Sequence, residues 1–389
     1  MPVRTEETHR PTLLEIFFDL VFIFAVTRVI LLMGSPPTAS AMAHGLLLLM
    51  LLWISWSNYT WLANQVRADV GVIRVGTTLA MAALFVAALV IPDAWRHDGE
   101  GLDTPLTLAL AYVALTALHL LLYFYSAADD RRLRVTLGLF AAATVLTWVP
   151  LIIGAVLGGA AQTSLWAAAF LLTFVGGFLA SSVSGWRLRS ASHFAERHSL
   201  VMIIAFGESL ISVGAGTGRA LTRAPLLVAA LLAFIITISL WWLYFGQVAG
   251  AAGRALAGQP HERRSRLATN AYSLAHFPLL AGVIYLALGV EQVFVQMAHQ
   301  QPGRAIGALP WLAAVSLDGG AALYLAGRAL FLWLAVGTVP LGQLVAAGLA
   351  VLLLPAAPHL SALAGLGALT ALLVVLTGYE RNARPPLPT

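Results

Sequence analysis

The sequence contains no cysteine and no lysine among its 389 residues. The absence of cysteine excludes disulfides, thiolate metal sites and cysteine nucleophiles. Because lysine is absent, arginine supplies all 22 basic side chains that oppose 17 acidic residues, and the formal net charge is +5.

Charged residues are also scarce, at 10% of the chain, whereas soluble domains carry about 25%. Hydrophobic residues make up 60%. Apolar stretches of about 20 residues recur along nearly the whole chain, which is typical of a helical protein that crosses a membrane many times. We therefore predict an all-α, polytopic integral membrane protein in the lipid bilayer, with 12 transmembrane helices at 14–33, 44–63, 71–92, 105–125, 135–157, 164–183, 199–216, 224–246, 268–290, 319–338, 340–356 and 360–378.

The arginines predict how these helices are oriented, because cytoplasmic loops carry the excess of basic residues. With the N-terminus inside, sixteen arginines fall in inner segments and four in outer segments. We expect a multi-pass protein of the cytoplasmic membrane with both termini in the cytoplasm. Since the basic residues lie in short loops, they indicate topology, and we predict no nucleic-acid partner. The inner arginines are Arg4, Arg10, Arg67, Arg74, Arg131, Arg132, Arg134, Arg187, Arg189, Arg197, Arg254, Arg263, Arg264, Arg266, Arg381 and Arg384.

Two segments suggest an internal duplication. ALAYVALTALHLLL at 109–122 aligns without gaps to AALYLAGRALFLWL at 321–334, with 7 identities in 14 positions, and Tyr112 coincides with Tyr324. Glu15 and Glu196 at the starts of two predicted helices are 181 residues apart. Such offsets predict tandem parallel repeats.

The predicted organisation is a first six-helix half at 14–183, a second at 199–378, and a cytoplasmic tail at 379–389. The sequence leaves open whether the protein forms a homodimer.

The first helix, LLEIFFDLVFIFAVTRV at 13–29, contains two carboxylates in apolar sequence. Glu15 and Asp19 are four residues apart and therefore share one helix face. Thr12 and Glu15 also fit a capping box, in which Glu15 would satisfy backbone donors at the helix start. Asp19 lies too far into the helix to cap it, so it is either a functional group or part of an internal salt bridge.

Glu208 lies near the middle of the seventh predicted helix, and Arg328 is similarly central in the tenth. A charge at that depth costs about 2.5–3.5 kcal/mol on insertion scales. Arginine cannot readily lose its proton, so Arg328 needs an anion, and Glu208 or Asp19 are the candidates. We predict that Asp19, Glu208 and Arg328 form one buried cluster beside a cavity. A purely structural pair is the alternative.

Arg197 and His198 open the seventh helix. Arg197 lies eleven residues before Glu208, on nearly the same helix face. The candidate ion or substrate pathway is therefore built from Asp19, Glu208, Arg328, Glu15, Arg197 and His198. A solvated helix start is the alternative explanation for Arg197 and His198.

Three common enzyme motifs are absent from the sequence. The sequence has no H-E-x-x-H zinc motif, no P-loop and no G-x-S-x-G nucleophile elbow. We predict no cofactor and no metal.

Three stretches resemble the signatures of the low temperature requirement protein A (LtrA) family. They are EIFFDLVFIFAVTRV at 15–29, WISWSNYTWLANQ at 53–65 and ERHSLVMIIAFGESLISVG at 196–214. The resemblance implies a bacterial polytopic membrane protein of a family in which a role in growth in the cold has been suggested for a member. It implies no established biochemical activity.

The first helix also resembles the pore helix of a potassium-channel family of bacteria and lysosomes that is built from six-helix units. The shared pattern is E-x-F-x-D-x-V-F-x-x-A-x-T, which begins at Glu15. Phe18 stands where that family has the serine of its Phe-Ser-Asp motif, and the seventh helix lacks the motif.

Intramembrane carboxylates are a common means of coupling transport to protons or cations. We therefore predict a transporter or channel-like protein for a small solute or ion. One alternative is a membrane enzyme acting on a lipid or lipid-linked substrate, although enzymatic activity is the less favoured prediction. The other is a non-catalytic structural or stress-adaptation module.

Overall fold

The computed structural model describes residues 2–34, 36–97, 101–127, 130–182, 187–215, 223–298 and 306–382. These residues are almost entirely helical and contain no β-strand. The only extended pairings among them are two isolated bridges, Arg4 with Val66 and Ala308 with Ser361. The all-α prediction is confirmed.

Fifteen α-helices follow one another through the described part of the chain. They are α1 (Leu13–Gly34), α2 (Ala39–Gln65), α3 (Gly71–Val90), α4 (Thr104–Ser126), α5 (Arg131–Leu157), α6 (Gly159–Ser182), α7 (Ala191–Ala215), α8 (Ala224–Leu243), α9 (Ala249–Ala257), α10 (His261–Leu267), α11 (His276–Ala298), α12 (Trp311–Ala314), α13 (Gly320–Val336), α14 (Leu341–Leu353) and α15 (Ala362–Asn382). Three π-helical segments, Tyr244–Val248, Ala268–Leu274 and Val315–Gly319, continue one helix into the next, and 3-10 segments cover Ile91–Asp93 and Leu354–His359.

Eleven helical segments of the described chain are long and apolar enough to cross a bilayer. This agrees with a polytopic membrane protein. The predicted span at 199–216 falls in α7, which is not among the eleven. Residue 216, the last of this predicted span, lies outside the described residues, and the prediction of 12 spans stays a prediction.

The chain divides into two compact units. Unit 1 comprises Met1–Ser35, Ser40–Leu200 and Gln259–Ala268, and unit 2 comprises Pro36–Ala39, Val201–Gly258 and Thr269–Thr389. The division at Leu200 lies next to the predicted start of the second half. Two short segments do not follow this division, because Pro36–Ala39 belongs to unit 2 and Gln259–Ala268 belongs to unit 1. Two consecutive halves do not predict them.

Local sequence explains where several helices begin. Asp103 and Asp130 accept hydrogen bonds from the backbone N–H groups three residues ahead and so cap α4 and α5. At the start of α1, Thr12 and Glu15 form the predicted capping box: the Thr12 N–H donates to Glu15 Oε2 at 2.7 Å, and the Glu15 N–H donates to Thr12 Oγ1 at 3.4 Å.

In unit 1, α3 packs against α1 and α4, and α5 packs against α4 and α6. Tyr112 of α4 is buried and its hydroxyl donates to the Leu51 carbonyl of α2. In unit 2, buried Tyr324 of α13 donates to the Leu240 carbonyl of α8 in a comparable way. This similarity accords with an internal repeat, which stays a prediction.

In unit 2, glycines bring α11 and α13 together at backbone distance. A Cβ atom on Gly282 of α11 would lie 2.5 Å from the Tyr324 nitrogen, and one on Gly320 of α13 would lie 2.5 Å from the Leu286 nitrogen. Gly289 and Gly327 occupy the same interface seven residues further along each helix. Small residues permit such close packing between membrane helices.

Candidate functional site

Unit 1 contains a network of buried charged groups that begins at Glu15. Besides its capping bonds from Thr12 through Oε2, Glu15 uses its other oxygen, Oε1, in two further contacts. His193 Nε2 lies 2.7 Å from this oxygen and Arg197 Nη1 lies 3.1 Å from it. The capping role and the buried-charge role that the sequence suggested for Glu15 therefore coexist in one side chain.

Arg197 joins the two carboxylates of α1. Its Nη1 reaches Glu15, and its Nη2 donates to Asp19 Oδ1 at 2.6 Å. The guanidinium also lies 5.7 Å from the ring centre of Trp56, within the range of a cation–π contact. Arg197 is 1% exposed, so the alternative of a solvated helix start was wrong. The physical reason is that α7 begins at Ala191, eight residues earlier than predicted.

Asp19 is fully buried, and its Oδ1 accepts a second hydrogen bond, 2.7 Å long, from the indole N–H of Trp56. Its Oδ2 has no hydrogen-bond partner among the residues that the structure describes, and the same holds for Arg197 Nε. The network thus sets two carboxylates against a single guanidinium. If both carboxylates are ionised, one negative charge is left without a cation.

His193 is held in one tautomer by Asn64. The Asn64 Oδ1 atom accepts the backbone N–H groups of Arg189 and Ser190, which fixes the amide with its Nδ2 toward the Ser190 carbonyl and His193 Nδ1. Since Nδ2 is a donor, His193 Nδ1 is the acceptor and Nε2 carries the hydrogen. His193 is therefore a neutral side chain that donates to Glu15.

His9, Glu15 and His193 place one ligand atom each within 4.8 Å of one another, a spacing that can suit a metal ion. Two observations oppose that interpretation. The tautomer set by Asn64 puts a hydrogen, not a lone pair, on His193 Nε2. Both Glu15 oxygens also already accept hydrogen bonds, Oε1 from Arg197 and Oε2 from Thr12.

His9 precedes α1, and its ring stacks on His193 with 5.6 Å between the ring centres. Burial lowers the pKa of His9 below its usual value. Burial therefore favours the neutral form of His9, which adds no positive charge to the network.

A small cavity adjoins Glu15 and Arg197. Phe18, Tyr59 and Thr77 are among its other lining residues. The centre of a water-sized sphere can occupy about 10 Å³ of it, which is enough for roughly one water molecule. The two charged side chains therefore border a space large enough for about one water molecule.

His198, the last of the predicted residues in this region, does not bond to the carboxylates. Its Nδ1 lies 2.9 Å from the Phe194 carbonyl, and its ring packs edge-on against Trp56 and Trp53. It supports the indole that binds Asp19.

The sequence profile of the family described as bacterial low temperature requirement A protein (LtrA) matches residues 10–378. The chain belongs to the LtrA family. The match includes α1, α2 and the start of α7, which carry the network, and it confirms the family resemblance.

One relative of this LtrA protein is uncharacterized protein RA0937 of Rhizobium meliloti (strain 1021). It is 27% identical over 334 residues, which cover 80% of this chain and 75% of the relative. No solved structure matches the chain.

In unit 2 of this LtrA protein, Arg328 is 1% exposed and forms a bidentate ion pair with Glu380 of α15, at 2.8 and 2.7 Å. Its Nε donates to the Leu243 carbonyl at 2.7 Å. The partner of Arg328 is therefore Glu380 and not the predicted Asp19 or Glu208, while a cluster of Asp19, Glu208 and Arg328 stays a prediction. We predicted that the last helix ends at 378, but α15 continues to Asn382 and so carries Glu380 within its final turn.

Glu208 is buried in the part of α7 that belongs to unit 2. It lies close enough to Glu291 of α11 for their charges to interact. The functional role predicted for Glu208 stays a prediction.

Sequence reasoning missed three residues that complete these sites, Asn64, His193 and Glu380, and it did not connect Trp56 to Asp19. Trp56 and Asn64 lie in the stretch at 53–65 that resembles an LtrA signature, which was the available signal. His193 lies before the predicted start of the seventh helix, and Glu380 lies in the segment predicted to be a tail.

Proposed function

We propose that this LtrA-family protein is a transporter or channel-like protein for a small solute or ion. We further propose that the Glu15–Asp19–Arg197 network binds a cation, in the simplest case a proton, during transport. The main support for this proposal is that two buried carboxylates face one guanidinium. In addition, one Asp19 oxygen has no hydrogen-bond partner among the described residues.

Physical chemistry favours a cation at this position. An uncompensated charge inside a membrane protein is costly, and ionisable residues in such segments commonly mark ion pathways and proton relays. Neutral His193 and His9 do not offset the excess negative charge. A proton or another small cation at Asp19 would balance the network, and its release would restore the imbalance.

The cavity supports this proposal because it brings water-sized space to Glu15 and Arg197. Arg197 holds both carboxylates through separate nitrogens. Neutralising Asp19 would weaken one of these bonds and leave the other. Cation binding could therefore change how α1 and α7 are joined, which is the kind of local change that a transport cycle requires.

A second candidate function is a structural membrane module. The same polar bonds fasten α1, α2 and the start of α7 to one another through Asp19, Trp56, Asn64 and Arg197. In that case the network would matter for folding alone. A membrane enzyme receives no comparable support, because His193 is held as a donor and both carboxylates bind Arg197.

Proteoliposomes test the proposal. The wild-type protein is reconstituted with an entrapped pH-sensitive or cation-sensitive dye, and gradients of H⁺, K⁺ or Na⁺ are imposed with and without a panel of small solutes. We expect protein-dependent flux with at least one cation. Flux equal to that of protein-free liposomes under every gradient would contradict the proposal and favour the structural module.

A further inference from the structure

Unit 2 contains a buried carboxylate, Asp318, that the network of unit 1 does not involve. Asp318 lies in the π-helical segment Val315–Gly319, inside the candidate span Trp311–Val336. It is 4% exposed, and its Oδ1 has no hydrogen-bond partner among the residues that the structure describes. Short π-helical turns within helices frequently occur at functional sites.

The elements around Asp318 supply no charge to balance it. The π-helical segment packs against α11, α12, α13, α14 and the 3-10 segment Leu354–His359. Within the described chain, no titratable side chain of these elements bonds to Asp318 or interacts with it electrostatically. Those side chains are His276, Tyr285, Glu291, Tyr324, Arg328 and His359.

Asp318 lines a small cavity. Ser361 and Gly365 at the start of α15 form part of its wall, and most of the other lining residues are leucines and alanines. The centre of a water-sized sphere can occupy about 10 Å³ of this space, which is enough for roughly one water molecule. Ser361 Oγ accepts the Ala364 N–H, which leaves its hydroxyl hydrogen available as a donor toward that space.

We propose that Asp318 is a proton-binding site of unit 2, which holds its proton in the resting protein and exchanges it through a water molecule in the adjoining cavity. A carboxylate buried in a membrane without a cation or donor is strongly disfavoured relative to the neutral acid. The neutral acid is itself a donor, so a water in the cavity gives its proton a partner.

A metal ion fits this position less well than a proton. Calcium requires six to eight oxygen ligands and magnesium about six. The described side chains that line the cavity offer only the Asp318 carboxyl and the Ser361 hydroxyl. The site therefore suits a single proton, and the proposal does not depend on the network of unit 1.

Infrared spectroscopy of the full-length protein in lipid nanodiscs tests this proposal at pH 7. We expect a C=O stretching band of a protonated carboxyl that is absent from Asp318→Asn and retained in the matched control Asp93→Asn, whose aspartate is partly exposed and paired with Arg96. The band should move to lower frequency in D₂O, because the proton exchanges. An unchanged set of bands in Asp318→Asn would show that Asp318 is ionised. A band that does not move in D₂O would show that its proton does not exchange. Either result overturns the proposal.

A second measurement covers the case in which Asp318→Asn does not fold. The Asp19→Asn protein is labelled with ¹³C at its aspartate carboxyls, so that a protonated aspartate is distinguished from a glutamate and Asp19 cannot contribute. We expect a labelled, protonated band that moves in D₂O. Its absence would overturn the proposal without affecting the one made for Asp19.

Discussion

Arg197 is the side chain on which the unit 1 network depends. It holds Glu15 and Asp19 with separate nitrogens, and its own exposure is 1%. A buried pair need not stabilise a protein relative to an apolar replacement, but removal of one partner leaves the other buried and uncompensated. Removal of Arg197 would leave two carboxylates, Glu15 and Asp19, buried and uncompensated.

We predict that Arg197→Leu lowers the free energy of unfolding by about 3–5 kcal/mol. The measurement is reversible unfolding of the purified protein in mixed detergent micelles. Arg96→Leu is the matched control, since it removes an arginine from an exposed pair with Asp93 and should cost less than about 1 kcal/mol. Equal effects of the two changes would mean that the Arg197 bonds contribute nothing specific.

At the scale of single elements, the packing of α11 on α13 depends on glycine. Gly282 and Gly320 approach the backbone of the opposite helix, and a backbone atom cannot rotate away from an added Cβ as a side chain can. The pattern of two glycines seven residues apart on each helix is visible in the sequence. Its meaning required knowledge that these two helices are neighbours.

We predict that Gly282→Ala destabilises unit 2 by about 1–3 kcal/mol, the usual cost of overpacking. Gly348→Ala on α14 is the control, because a Cβ there meets nothing within 4 Å. Its effect on thermal unfolding should be neutral or slightly stabilising. A Gly282→Ala protein as stable as the Gly348→Ala protein would show that the helices can separate at no cost.

The ion pair between α13 and α15 leads to a further prediction. Arg328→Leu leaves Glu380 without its guanidinium partner, although Gln343 Nε2 still donates to it at 2.8 Å. The double change Arg328→Leu with Glu380→Leu removes both charges and should destabilise less than Arg328→Leu alone. A double-mutant cycle should give a coupling energy of about 0.5–3 kcal/mol, and additive effects would refute the coupling.

The helices themselves were predictable because long apolar stretches separated by proline and glycine specify them. The position of α7 was less predictable, since its first eight residues, ASHFAERH, are mostly polar and gave no sign of a membrane helix. For the same reason the sequence did not reveal His193. The partner of Arg328 was missed because Glu380 follows the apolar part of α15.

For the whole molecule, the distribution of arginine leads to a topology prediction. Reporter fusions after residue 389 and within the segment 93–104 should report opposite sides of the membrane, with the C-terminal reporter in the cytoplasm. Signals from the same side would overturn the topology.

The family and the all-α membrane fold follow from the sequence, because composition and the stretches at 15–29, 53–65 and 196–214 specify them. Which charges pair could not be predicted, since pairing depends on how helices distant in the sequence pack. Asp19 and Glu15 were identified from their position in α1 alone. Their joint partner, Arg197, was named only as a member of the pathway.

The central claim is that the Asp19 carboxylate takes part in cation movement and does not serve folding alone. The most direct measurement compares cation flux into proteoliposomes for Asp19→Asn and the control Asp93→Asn, with folding checked by thermal unfolding. Asn keeps the shape of the side chain and an oxygen for Trp56 and Arg197, but it cannot ionise. We predict that Asp19→Asn folds and inserts yet gives the cation flux of protein-free liposomes. The control Asp93→Asn should retain wild-type flux. Wild-type flux from a folded Asp19→Asn protein would contradict the account.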